Sequence, residues 1–409
     1  MAQAISRLSR ERLEKILHLS IFSAVLLTQF SVWGELPIGF ESAKISVLQI
    51  VAVVCLVTLL LSLLPLLKKM RLGKFTYSQL RDKRLLLGIT IAVSFVIAVL
   101  SVVFSAHAEI ALYGSQFRSQ GLIAVASIYS IFFYFLFLSR ARESYYLYLY
   151  LFFAAIHAAI ALSESISNSG DLLLAAGNFV NGNFGQSNFL AAVMLSALII
   201  SAYFFYCQKT GLSRKFSVFA FVLFSTVIML TESKAVVATA VLLVIVIYLR
   251  YNFQVRVRDD FIGIAVFSIA MLFYTFYQDG SRNLYWSTAM ELFVQDPKIL
   301  LIGNGPDTLL AYARDNQIFP AERVIDRFHN LQLDLIFSFG VFYISSILLA
   351  LYDLSKNAVK KLSDSQFIIL LICLCFVITA QVHTKSIYHF AQFAAFSGIL
   401  CSGLLRENS

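Results

Sequence analysis

The segment AERVIDRFHN, residues 321–330, sets Arg323, Arg327 and His329 at the mouth of an apolar run that begins at Leu331. An imidazole changes charge near neutral pH, so His329 can take the proton of an attacking hydroxyl. It can equally hydrogen-bond a phosphate or a sugar, and residue type alone does not separate these roles. Guanidinium groups present a planar fork of donors that fits phosphate oxygens. In a helix Arg323 and Arg327 would share a face, whereas His329 would need a turn to meet them. A further arginine, Arg282, stands in the first turn of the stretch SRNLYWSTAMELFVQDP. A cation there opposes the helix dipole, although backbone amides and a guanidinium together suit an anion. Each residue also has a plainer reading: a surface arginine solvated or lying among lipid headgroups, and His329 a satisfied residue at a helix entrance. No Asp-x-Asp occurs in the chain, nor an outward carboxylate cluster that would hold a divalent ion.

These residues need elements to position them, and composition says which. The chain has 409 residues, is 59% hydrophobic and only 13% charged, and has a mean hydropathy of +0.79. Continuous apolar runs of about 17 to 23 residues suit helices that span a bilayer and exclude an alternating barrel pattern. The expected fold is an all-α polytopic membrane protein forming a single transmembrane domain over residues 1–409. Twelve spans are expected, near 16–33, 45–67, 85–104, 121–138, 145–162, 187–207, 216–230, 235–249, 261–277, 331–352, 366–382 and 386–405. The first run has no small-residue cleavage site after it and reads as a retained helix rather than a signal peptide. The five cysteines, Cys55, Cys207, Cys373, Cys375 and Cys401, lack disulfide or zinc spacing.

Charge orients the spans. Most Lys and Arg fall in one alternate set of connections: the N-terminus, 68–84, and the loops holding Arg140, Lys209, Arg250 and Lys356. The positive-inside rule places that set, and both termini, in the cytoplasm. The net charge of +9 is thereby accounted for and needs no nucleic-acid partner. Nine basic residues are left on the outer side: Lys44, Arg118, Lys234, Arg282, Lys298, Arg314, Arg323, Arg327 and Lys385. Orientation does not require them. The outer loop 278–330, between the ninth and tenth spans, is the longest and holds three of the five prolines. Long structured loops carry function more often than short ones.

Within that loop, Tyr285, Trp286, Ala289, Leu292 and Phe293 follow one helical face. Ser281 is placed to cap the helix and Pro297 to end it. The expected site for the aromatics is the outer headgroup zone. The sequence GNGP, from Gly303 to Pro306, predicts a tight turn without the Lys-Ser/Thr of a phosphate-binding loop. Of the other histidines, His107 and His383 fall in short loops, and His157 and His389 within spans as packed polar residues. Tyr145 to Phe153 reads as an interfacial belt and helix packing rather than a sugar platform.

At this point the chain resembles the O-antigen ligase and polymerase-like glycosyltransferases of bacterial envelopes. Their pattern His-[Asn/Ser/Gln]-x9-Gly-x-x-[Gly/Thr/Tyr] is matched by His329, Asn330, Gly340 and Tyr343. Arg282, Trp286, Pro297, Gly303 and Gly305 look like the family's preceding loop pattern. FRSQGL (Arg118, Gly121) and NGNFGQSNFLA (Gly185, Gln186, Asn188) resemble motifs at the fourth and sixth spans. One position departs: Ser233-Lys234 stands where the family usually has Ser-Arg, which keeps the charge and loses the bidentate fork. The resemblance implies a GT-C-like enzyme of the bacterial plasma membrane that needs no cofactor. Its donor would be a glycan on undecaprenyl diphosphate, and its acceptor lipid A–core or a growing glycan, among membrane lipids. It further implies diphosphate contacts from Arg118, Lys234, Arg282, Arg323 and Arg327, with His329 and Arg282 catalytic. Asn330, Asn188 and Gln186 would orient substrate, with Asn330 orienting His329 or binding sugar. Metal-independent, inverting transfer is the expected chemistry. A repeat-unit polymerase shares it and differs in acceptor. A twelve-span transporter is the reading from another class, although the link between spans six and seven is too short for the usual central loop. The spatial expectation is that 278–330 folds back over the membrane and gathers its cations and His329 with Arg118 and Lys234.

Overall fold

The computed structural model describes residues 2–31, 38–71, 83–116, 118–139, 141–167, 180–184, 186–207, 211–253, 264, 280–319, 325–358, 362–381 and 386–406. Among the described residues there are helices and no strand. In chain order they are α1 (Ala2–Leu27), α2 (Ile38–Arg71), α3 (Lys83–Val103), α4 (Ala108–Tyr113), α5 (Leu122–Leu138), α6 (Glu143–Ser167), α7 (Ser187–Cys207) and α8 (Leu212–Leu230). There follow α9 (Lys234–Phe253), α10 (Gly280–Gln295), α11 (Pro297–Ile302), α12 (Leu309–Asp315), α13 (Leu331–Ala358), α14 (Asp364–Ala380) and α15 (Ile387–Arg406).

Nine of the described helices are long and apolar enough to cross a membrane, and α5 and α14 are shorter apolar helices. They overlap the expected spans except 261–277, which lies outside the described residues apart from Ile264. Apolar side chains cover all sides of these helices, because a bilayer rewards an apolar outer face as well as a packed inner one. α7 is the extreme case: its residues from Phe189 to Phe204 are all buried, at the centre of the main core. α2 is the opposite case, exposing Ile50, Val53, Val57, Leu60, Leu61 and Leu64. A continuous exposed stripe of this kind suits lipid, not water. In α6, Tyr146 and Tyr150 are buried while Tyr145 and Tyr148 are exposed, so the tyrosine-rich run serves both packing and surface.

The segment between α9 and α13 builds a second, smaller core. Trp286, Ala289, Leu292 and Phe293 of α10 pack with Ile299, Leu309, Phe328 and Phe337. The helical face read from sequence is therefore present, but it meets protein rather than headgroups. Trp286 is 8% exposed, and its Nε1–H donates to the Phe328 carbonyl at 3.0 Å. An indole with its polar edge satisfied inside a core has no need of the interface. α10 begins at Gly280, so Ser281 lies inside the helix rather than capping it. Pro297 does not simply end α10; it opens α11, whose first amides are capped by the Asp296 side chain.

This small core is stitched to the bundle at a break in α13. Gly340 has φ 76° and ψ 173°, outside the helical region. In an unbroken helix the Phe337 and Ser338 carbonyls would accept from amides four residues on. Here they accept from Asn304 N at 2.7 Å and Gly305 N at 2.9 Å. The Gly-Asn-Gly turn is thus an edge that satisfies a broken helix, as buried backbone requires. Its other side grips the α3–α4 connection: Ser105 Oγ donates to the Asn304 carbonyl at 2.6 Å, and Ala106 N to Asn304 Oδ1 at 3.3 Å.

Candidate functional site

The segment Asp326–Asn330 carries the site, and nearly every residue in it is tied to a different element. Asp326 Oδ2 accepts from Arg118 Nε at 2.7 Å. Arg327 Nη2 donates to Gln120 Oε1 at 2.9 Å and to Asp307 Oδ1 at 3.3 Å. The Phe328 amide donates to Asp334 Oδ1 at 2.8 Å, and the Phe328 ring sits in the smaller core. Asn330 Oδ1 accepts from the Gln332 and Leu333 amides and so caps α13, while its Nδ2 donates to the Gln381 carbonyl at 3.1 Å. Asn330 is therefore fully engaged in fixing the chain.

His329, between these anchors, has φ 57°. A left-handed histidine is uncommon and persists where neighbours over-determine it. Its ring faces that of Tyr285 on α10 at 6.0 Å. This is the turn that the sequence required for His329 to approach the arginines: His329, Arg118 and Arg327 all act on the Asp326 carboxyl.

The Arg118 loop is held by one carboxylate. Asp307 Oδ2 accepts the amides of Ser115 at 2.7 Å and Gln120 at 3.1 Å, and its other oxygen holds Arg327. The loop's own turn is closed by Gly114 and Gly121, where a Cβ on Gly121 would lie 2.4 Å from Gly114 N. Glu41 near the start of α2 also acts on Arg118 and accepts from Ser386 Oγ. One turn further, Lys44 is fully buried with Nζ 4.9 Å from the centre of the Tyr388 ring.

Arg327, Gln120 and Asp334 stand at the polar end of a cleft. Its other walls include Val125, Ile128 and Tyr129 of α5, Leu331, Leu335, Phe339 and Tyr343 of α13, and Ile387 and Phe390 of α15. The cleft encloses about 120 Å³, and about 780 Å³ when its open mouth is included. Tyr129 donates to Tyr343 at 3.0 Å and shares a 2.6 Å hydrogen bond with Ser94, which fixes α5 against α13 and α3 along this wall. The lining thus joins polar groups, Arg327, Gln120 and Asp334, to aromatic and aliphatic walls, as small-molecule clefts commonly do.

Burial would raise the Asp326 carboxyl, but the Arg118 guanidinium, aided by Arg327 and His329, holds it below the usual carboxylate range. Burial would lower Arg118, and Asp326 more than reverses this. A depressed carboxyl stabilises the folded state above its unfolded value, near pH 4, and loses that contribution as pH falls through the lower folded value. The expected result is a stability gap between the wild-type chain and Asp326→Asn that is constant from about pH 7 to 5 and closes below about pH 4. Thermal unfolding in detergent across that range measures it.

The remaining expected residues divide. Arg327 is the only one of the expected cations that lines the cleft among the described residues; Arg282, half-buried in the first turn of α10, does not line it, nor do Arg118 and His329. Lys234 is exposed at the start of α9, and neither lines the cleft nor acts on Arg118 or Asp326. Asn188 is near Lys234 instead, its Oδ1 accepting from Ser233 Oγ at 2.7 Å, and Gln186 precedes it at the start of α7. Thus Arg118, Arg327 and His329 all act on Asp326, while Asn188 bonds Ser233, the neighbour of Lys234. Arg323, His383 and Lys385 lie outside the described residues. His389 and His157 are packed between helices as expected, His389 bonding the Phe189 carbonyl at 3.1 Å and His157 stacking on Phe30 at 4.1 Å. His107 pairs with Asp315 at 3.6 Å. The carboxylates Asp307, Asp326 and Asp334 were not singled out by the sequence; among the described residues they form no group that could hold a metal ion. They are gathered from separate turns, and each is engaged by a guanidinium or a backbone amide. No family model, no curated protein and no solved structure matches this chain.

Proposed function

We propose that the chain is an O-antigen ligase-like membrane glycosyltransferase that moves a glycan from a polyprenyl diphosphate to an acceptor hydroxyl. The observation that carries this reading is the cleft: Arg327 at its polar end, Arg118 joined to it through Asp326, and apolar walls from α5, α13 and α15. A polyprenyl diphosphate has that same division into apolar tail and anionic head. In the reaction the acceptor oxygen attacks the anomeric carbon and the bond to the diphosphate oxygen breaks. The diphosphate leaves with the bonding electrons, and the hydroxyl proton passes to a base. Arg118 and Arg327 receive the charge on the leaving group, as preorganised donors do. His329 beside them is the candidate base. Attack opposite the diphosphate inverts the anomeric centre.

Reconstitution with a lipid-linked glycan and separate acceptors tests the proposal. A new glycan–lipid A product supports the ligase, and a ladder of lipid-linked products moves the assignment to a polymerase. Movement of the glycan across the bilayer without bond formation removes the transferase reading in favour of a carrier. Activity is expected to survive thorough chelation, and restoration only by a divalent ion would overturn metal independence.

A further inference from the structure

The two arginines of the site are held by carboxylates in different ways. Asp307 has a side chain only 2% exposed, accepts two backbone amides as well as Arg327, and lies at φ 62° in the left-handed region. It is part of the loop's construction. Asp326 is 23% exposed and accepts one side-chain hydrogen bond among the described residues, from Arg118 Nε. Arg118 is the mirror of this. Its Nε is engaged, and neither Nη group makes a hydrogen bond among the described residues, although the side chain is only 18% exposed. A guanidinium has two useful edges, and the one bearing both Nη groups is the fork that grips two phosphate oxygens at once. An arginine tied at Nε has lost most of its rotational freedom but keeps this fork.

We propose that Asp326 is a positioning residue for the donor, anchoring Arg118 through Nε so that its Nη edge is presented to a phosphate of the lipid-linked diphosphate. The inference rests on the donor class proposed above. The arrangement carries a built-in opposition. The same carboxylate that aims the fork places a negative charge beside the incoming anion, so aim is gained at the expense of affinity. Arg327, His329 and the more distant Asp334 and Glu41 share that field, so the effect belongs to Asp326 only where the aim changes with it.

Substitution separates aim from charge. Asparagine keeps an oxygen to accept from Nε and removes the charge, whereas alanine removes both. Binding of geranylgeranyl diphosphate to the purified full-length chain in nanodiscs is the readout, with geranylgeraniol as the tail-only control. Asp326→Asn is expected to bind the diphosphate at least about tenfold more tightly than the parent, a modest share of a unit-charge interaction at this range. Asp326→Ala is expected to lose that gain, and Asp326→Glu to bind as the parent does. In turnover, Asn lowers KM with kcat retained, while Ala lowers kcat. A role confined to holding the fold would not produce that split. Equal affinity for Asn and Ala, or weaker binding by a folded Asn variant, overturns the positioning role and leaves the donor class standing. If the parent binds the diphosphate no better than the alcohol, the donor class itself falls. Should Asn not fold, the Arg118→Gln/Asp326→Asn pair replaces it. There Asp326→Asn gains affinity by charge removal alone; a smaller gain for Asp326→Ala in the parent than for Asp326→Asn in the Arg118→Gln background supports aim through Arg118, and equal gains overturn it.

Discussion

Gly340→Ala is expected to cost this protein most or all of its folded population. The backbone at Gly340 has φ 76° and ψ 173°, a region closed to residues with a Cβ. Space is as restrictive as torsion: a Cβ there would lie 2.1 Å from the Leu301 carbonyl oxygen and 2.4 Å from the Ile302 nitrogen. These are backbone atoms and cannot swing aside as a side-chain end can. Relief requires α11 to part from α13, which breaks the Asn304–Phe337 and Gly305–Ser338 hydrogen bonds. Backbone strain of about 1–3 kcal/mol and two unsatisfied buried carbonyls at about 1–3 kcal/mol each add to a loss on the order of 4 kcal/mol or more. That is comparable to the whole stability of a marginal domain. Gly303→Ala is expected to behave alike, since its Cβ would meet Phe339 N at 2.4 Å from the other side of the same contact. Gly280→Ala, with nothing within 4 Å of the added carbon, is the neutral control. Recovery of monodisperse protein and its unfolding temperature in detergent distinguish the three. Parent-like stability for Gly340→Ala would mean that α13 does not break there.

That contact also shows where the sequence was legible and where it was not. The spacing from Asn330 to Gly340 to Tyr343 is visible as a pattern, but its cause needs coordinates. Asn330 starts a half-helix, Gly340 ends it, and Tyr343 beyond the break bonds Tyr129. The membrane helices were legible because lipid imposes length and apolarity directly on the chain. The apolar face of α10 was legible too, yet its partner was not, since Trp286 gains from leaving water whether it enters headgroups or a protein core. The acidic partners were invisible for a different reason. Asp307, Asp326 and Asp334 find their partners, Arg327, Arg118 and the Phe328 amide, only once the segment between α9 and α13 is folded. Asp326 stood in plain view beside Arg327, but nothing local says that it faces Arg118, some two hundred residues away in sequence. Lys234 shows the converse limit. A charge at a helix start on the expected side was a reasonable candidate, and the bundle puts it with Asn188 and Ser233 instead.

Arg118→Ala is expected to lower transfer by about 100- to 1,000-fold in kcat, the usual effect of removing one preorganised donor to a developing anion. Activity alone is an ambiguous readout here, because the same substitution strands Asp326. A carboxylate in a mostly buried setting that loses its cation is destabilising by about 3 kcal/mol. The fold and the chemistry would then fail together. Pairing the change with its partner separates them. Arg118→Gln/Asp326→Asn replaces an ion pair with two neutral amides of similar size, which restores the electrostatic balance of the loop. Its unfolding temperature is expected to return most of the way to that of the parent. Transfer is expected to stay down, because no charge remains at that point to meet the diphosphate. Arg118→Lys lies between, keeping the charge but losing the fork, and is expected to retain more activity than Ala and less than the parent. Full transfer by the stable double variant would remove Arg118 from the reaction and leave it as a strut between two loops. A stable and inactive double variant is the outcome expected if the guanidinium touches the donor.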